Sequence, residues 1–214
     1  AKIRVDGLTL NLEQKADGTN NWADLSKSET KTESEDDRAR RERDRAGRDA
    51  TREGPPPEVT TDGVEIKDVS LSYTDRKSGE AYKIDKLSIE TGPIKPGNPI
   101  DVVIAFIANS AKPQLESDVK ISFTASGEQG GEVTDLSNLK VDSVSKGPAV
   151  PGGSQTATLR GHARHDRKQG TFAFTDGVLE AAGLTLYATV NGANLNGDAP
   201  SLSGKLATNT FNPK

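Results

Sequence analysis

The sequence predicts a mainly β protein: an elongated, strongly curved antiparallel sheet of about ten strands, grooved along one face. One charged insert, disordered or a solvated helix, interrupts it. Three observations predict this. Only 32% of the 214 residues are hydrophobic and 4% aromatic, while 21 Gly and 11 Pro punctuate the chain at short intervals; a thick core is out of reach and turns are plentiful. Outside the charged stretch, apolar residues alternate with period two and no helical period survives. Finally, one irregular spacing, i, i+3, i+5, recurs at Val5-Leu8-Leu10, Ile66-Val69-Leu71, Ile84-Leu87-Ile89, Leu136-Leu139-Val141 and, more weakly, Ala181-Leu184-Leu186. In a strand this keeps the apolar side chains on one face only if an extra residue is absorbed after the first, as a β-bulge does. The intervening pairs read DG, KD, DK, SN and AG; Asp, Asn and Gly tolerate the backbone angles a bulge needs. Repeated bulges arch the hairpins, so that Leu, Ile and Val gather on the inner side.

Residues 1–25 form the N-terminal strand and turn of this domain. "KIRVDGLTLNLEQ" alternates at Leu8, Leu10 and Leu12 and runs into the turn "KADGTN". Residues 26–58 are the insert. From Lys27 to Glu53 there is no Leu, Ile, Val or aromatic residue; Glu33, Glu35, Asp36 and Asp37 precede the basic-rich run "RARRERDR", and "GPPPE" would stop any helix. Without an apolar face such a segment cannot pack, and the interleaved charges cancel most of its field, so it reads as a spacer and not as an anion-binding patch. Residues 59–214 are the main body. "VEIKDVSLSYTD" and "AYKIDKLSIETG" flank "RKSGE" as a hairpin. The strands "IDVVIAFIA", "LESDVKISFTA", "EVTDLSNLKVDSV" and the weaker "QTATLRGHARHD" follow, then the pair within "TFAFTDGVLEAAGLTLYATVNG" and a terminal "APSLSGKLATNTFNPK".

"IDVVIAFIA" stands apart because both of its sides are apolar: Ile100, Val102, Ile104 and Phe106 alternate with Val103, Ala105 and Ile107. It is either a central strand of an ordinary β-sandwich or a groove-lining strand whose reverse is covered by a neighbouring segment or a partner. In the groove reading the lining comprises Leu8, Leu10 and Leu12 from the first strand, then Val69 and Leu71, Leu87 and Ile89. Val102, Ile104 and Phe106 continue it, followed by Ile121 and Phe123 and by Leu184 and Leu186.

Little catalytic equipment is visible. His162, His165 and Asp166 form the only His cluster, yet positions three apart on a strand point to opposite faces and could not share a metal ion without a bend. Paired carboxylates such as Asp36 and Asp37, or Glu65 and Asp68, lie among Lys and Arg with no apolar pocket to raise a pKa. No Gly-x-Ser-x-Gly elbow or phosphate loop occurs, and "GEQGG" and "PGG" read as turns. The expectation is therefore no enzyme activity, no metal and no cofactor. A net charge of −4 gives no general attraction to nucleic acid. The absence of Cys removes disulfides and thiolate chemistry without fixing a compartment. No apolar run approaches the roughly 18 to 20 residues of a spanning helix. With no Met and an opening "AKIRVDG", the chain reads as an interior or processed piece. Trp22, just after the first turn, reads as packing that pins the hairpin and not as a membrane-interface anchor.

"DGLTLNLEQKADGTNNWADL", the polar insert, "DGVEIKDVSLSYTDRKSGEAYKIDKLSIETGPIKPGNPIDVVIAFIAN" and the terminal "SLSGKLATNTFNPK" resemble the AsmA family of bacterial cell-envelope proteins over essentially the whole chain. The most specific parts are the Asn-Trp segment around Trp22, "VSLSYTDRKSGEAY" and "TGPIKPGNP". The resemblance implies a periplasmic domain held at the inner membrane by an N-terminal anchor that these residues do not include. It also implies an elongated β-groove for phospholipid acyl chains, supporting lipid transport and outer-membrane biogenesis. The alternative is an assembly module that binds other envelope proteins by adding a strand at an open sheet edge.

Overall fold

A computed structural model describes residues 1–23, 60–127 and 131–209. The insert expected over 26–58 falls outside the described residues. Eleven strands form one open sheet: β1 (Ile3–Asp6), β2 (Thr9–Gln14), β3 (Val64–Asp75), β4 (Glu80–Thr91), β5 (Ile100–Ala111), β6 (Gln114–Gly127), β7 (Val133–Lys146), β8 (Ser154–Asp166), β9 (Thr171–Ala181), β10 (Leu184–Ala193) and β11 (Ser201–Thr208). From β3 to β11 they run as an antiparallel meander, each beside its successor. β1 and β2 lie end to end along the outer side of β3.

The pairing of β1 and β2 corrects the expectation of a purely antiparallel sheet, because both run parallel to β3. The reason is the length of residues 15–63. Antiparallel neighbours need only a tight turn, whereas a parallel return needs a long connection, and only here does the chain supply one.

Bulges appear where three of the five spacings place them, and at a fourth Gly7 separates β1 from β2 without gaining a residue on β3, since Asp6 pairs with Lys67 and Thr9 with Ser70. Gly7, Asp68, Lys86 and Asn138 all have φ between 51° and 72°. At Lys86 a step of three residues along β4, Asp85 to Ser88, is matched by a step of two on β5; at Asn138 a step of three on β7, Leu136 to Leu139, is matched by two on β8. The fifth spacing is something else. Ala182 and Gly183 both have positive φ, and Ala181 pairs directly with Leu184, which is a two-residue hairpin turn of the mirror-image kind that matches strand twist. A further bulge sits at Asp176, φ 53°, where β9 gains a residue against both β8 and β10. It follows the same rule, with Phe174, Gly177 and Leu179 as the one-face positions. The middle one is glycine, and a Cβ there would run into the Phe174 ring.

Strands contact chiefly their hydrogen-bonded neighbours, and no second layer lies over either face among the described residues. The sandwich alternative for β5 therefore does not hold. Burial is correspondingly shallow. Among the described residues, Val69, 9% exposed, and Val133, 6%, are the buried hydrophobic ones. Val69 owes this to its place between two bulges: it faces Leu87, with the β3 bulge on one side and the β4 bulge on the other.

Candidate functional site

Directly paired residues share a face of a sheet, so the register assigns every side chain to one side. The front face collects all the residues expected to line a groove. Leu10 pairs with Leu71, Val69 with Leu87 and Ile89 with Ile104. Val102 pairs with Phe123, Ile104 with Ile121 and Phe106 with Val119, while Leu8 and Leu12 flank Leu10 at period two and Leu184 does the same beside Leu186. Val69 is buried; Leu8 and Leu10 are exposed; the other eleven are half-buried. Nothing among the described residues covers them.

One row of this face is continuous. Val5 pairs with Ile66, Ile66 with Ile89, Ile89 with Ile104, Ile104 with Ile121, Ile121 with Val141, Val141 with Leu159, Leu159 with Leu179 and Leu179 with Leu186. Nine aliphatic side chains thus stand side by side across nine strands, roughly 38 Å at about 4.8 Å per step. The bulges keep the row whole. Without the extra residue at Asp68, Lys86 or Asn138, alternation would turn half of that strand's apolar residues to the back. Leu159 and Leu179 were missed from sequence because Leu159 is the one leucine in a strand otherwise rich in Thr, Ala and charge and Leu179 stands beside Val178, which faces the other way; only the register reveals their place.

Along the strands the front face changes character toward the β3–β4 hairpin. The next row reads Leu10, Leu71, Ile84, Ala108, Ser117, Ser145, with the last two hydroxyls 2.8 Å apart. Beyond it, Leu12, Tyr73, Tyr82, Ser110 and Leu115 are aligned. The Tyr73 and Tyr82 rings stack with centroids 6.4 Å apart, and Trp22 lies 6.0 Å from Tyr73. Trp22 therefore packs the return of the first turn onto β3. Leu71, Tyr73, Tyr82, Ile84, Ala108 and Leu115 surround a cavity of about 210 Å³, and the Ser110 hydroxyl at its edge is buried with no hydrogen-bond partner.

The back face is polar. Lys83 bonds Asp85 at 2.8 Å, Lys140 bonds Asp142 at 2.6 Å and Lys67 bonds Glu65 at 2.9 Å. In each case the hydrogen bond from the ammonium is the main reason the carboxyl is held below its ordinary range. His162 Nε2 meets Asp135 Oδ2 at 2.8 Å on this face, whereas His165 pairs with Phe172 on the front; the two imidazoles do not converge. Among the described residues no group of three His, Cys, Asp or Glu is placed to hold a metal, and no helix is long and apolar enough to cross a membrane. Asp68, named as one of a carboxylate pair, is the exposed β3 bulge residue. Apolar residues interrupt the back at Val103, Ala105 and Ile107 of β5, opposite Glu90, Ser88 and Asp85, at Val133 and Val144 of β7, and at the directly paired Val178 and Tyr187.

No family model, curated protein or solved structure matches the chain.

Proposed function

We propose that this chain is a non-enzymatic groove domain whose front face shelters phospholipid acyl chains, as the AsmA resemblance implies. In this reading it works in the periplasm, as part of a protein held at the inner membrane, and supports lipid movement during outer-membrane biogenesis. One observation supports the reading above others: the unbroken aliphatic row from Val5 to Leu186. A lipid tail in a leaflet spans about 15 Å, half of a hydrocarbon core of roughly 30 Å, so the row is more than long enough for one tail laid across the strands. Each methylene withdrawn from water contributes about 0.8 kcal/mol. The aliphatic row itself offers no side-chain hydrogen-bonding group, so a tail would gain nearly the same contact at each step along it. Holding is thereby combined with easy translation.

Adjacent residues on opposite faces test this. A photo-crosslinking amino acid at Ile104 on the front is expected to give phospholipid adducts in cells, and the same group at Val103 on the back few or none. Protein-only adducts at Ile104, or equal lipid labelling at both positions, would overturn the reading.

A further inference from the structure

The two edges of the sheet are finished differently. On β2, Glu13 N–H donates to Asn21 Oδ1 and Asn21 Nδ2 donates to the Asn11 carbonyl, both at 2.8 Å, while Asn21 N–H reaches the Glu13 carbonyl at 3.1 Å. The first turn thus occupies hydrogen-bonding groups that another strand would need. Among the described residues β11 has no such cover. All of its residues are exposed, and Leu202 and Leu206, 75% and 71% exposed, are the most exposed large hydrophobic residues described.

We propose that β11 is a homodimerisation edge, pairing antiparallel with β11 of a second copy about a two-fold axis at Gly204. Asn209 N–H donates inward to the Thr185 carbonyl. With β11 in unbroken register on β10, alternation then turns the amides and carbonyls of Leu202, Gly204, Leu206 and Thr208 outward. The stretch "SLSGKLA" is nearly symmetrical about Gly204: leucine at two residues on either side, serine or lysine at one, serine or alanine at three. Among antiparallel self-registers that match outward groups to outward groups, the one centred on Gly204 sets Leu202 opposite the partner's Leu206. Shifting it one step sets a leucine opposite Gly204 instead. The centred register opposes Lys205 to a serine and not to another lysine. It sets Thr208 opposite Pro200, which has no N–H to donate, so the new ladder closes at both ends. Because the axis is perpendicular to the sheet, the two apolar faces remain on one side.

The chain has no cysteine, so single cysteines report the pairing cleanly. Ser203→Cys and Lys205→Cys proteins, mixed and mildly oxidised, are expected to give a mixed disulfide in excess of either alone, since these positions face each other within disulfide reach in the centred register. Sedimentation equilibrium of the unaltered chain is expected to show mass rising toward twice the monomer. Leu206→Pro, which deletes an outward N–H, is expected to abolish that rise while leaving the circular dichroism unchanged. If Leu206→Pro unfolds the protein, the double substitution of Leu202 and Leu206 by Lys serves the same purpose. A monomer at every concentration, or cross-linking no greater in the mixture than in the separate proteins, would overturn the proposal; so would a dimer that survives both variants.

Discussion

The front and back of the sheet are made by the same strands yet are held together by different physics. On the front, aliphatic side chains meet across every strand boundary from β1 to β10 and form a shared surface with no polar partner. On the back, ion pairs such as Lys83–Asp85 and Lys140–Asp142 join residues two apart on one strand, and a depression of about 400 Å³ is lined by Asp68, Ser70, Lys83, Asp85, Lys86 and Glu116 with Asn109 and Ile107. Exposed pairs of this kind contribute little to stability. The difference teaches where the fold is determined: lateral matching on the front sets the register, and the back turns most of the charged side chains to solvent.

The sharpest way to break this division is to delete Lys86. Removing the bulge residue shifts β4 by one position beyond it and sends either Leu87 and Ile89 or Ile84 to the back; a loss of more than about 4 kcal/mol is expected, read as non-cooperative urea unfolding. Next in size is a matched pair of substitutions on β5. Ile104→Lys, in the middle of the aliphatic row, is expected to cost about 2–4 kcal/mol, whereas Val103→Lys, opposite Glu90, should stay within about 0.5 kcal/mol. Equal losses in chemical denaturation would refute the division. A smaller effect of opposite sign is expected for Lys86→Gly. A non-glycine residue in the left-handed region is strained, and relief is offset by glycine's larger chain entropy, leaving a gain of about 0.5 kcal/mol; Lys86→Val should be destabilising instead.

The smallest effect belongs to the back-face carboxylates. Asp85 and Asp142 sit below the ordinary aspartate range because of bonds from Lys83 and Lys140. A depressed folded pKa means that their contribution is present above the unfolded value of about 3.9 and is lost as pH falls through the lower folded value. NMR titration should find both midpoints below that of a model aspartate, and replacing either with Asn should flatten acid unfolding only slightly.

Much of this was legible because a bulge leaves a trace in the sequence. At Ile66-Val69-Leu71 and Leu136-Leu139-Val141 both the spacing and the Asp or Asn in the gap are visible. At Phe174-Gly177-Leu179 the middle side chain is missing and its space is taken by a ring that alternation alone cannot locate. At Ala181-Leu184 the same spacing belongs to a turn, since two residues of positive φ between paired neighbours imitate a bulge on paper. The parallel course of β1 and β2 could not be read, because local pattern says nothing of direction across residues 15–63. For the candidate site, which residues share the front face followed from alternation, but the unbroken row did not, because pairing partners lie on different strands.

Since each strand from β4 to β10 leans chiefly on its two neighbours, the architecture is modular in the literal sense. A hairpin duplicated between two existing ones would meet edges of the same kind it left and would extend the aliphatic row by two residues without disturbing what lies beyond. Such a molecule can change its length by copying a small unit, where a protein built round a closed interior would have to be redesigned.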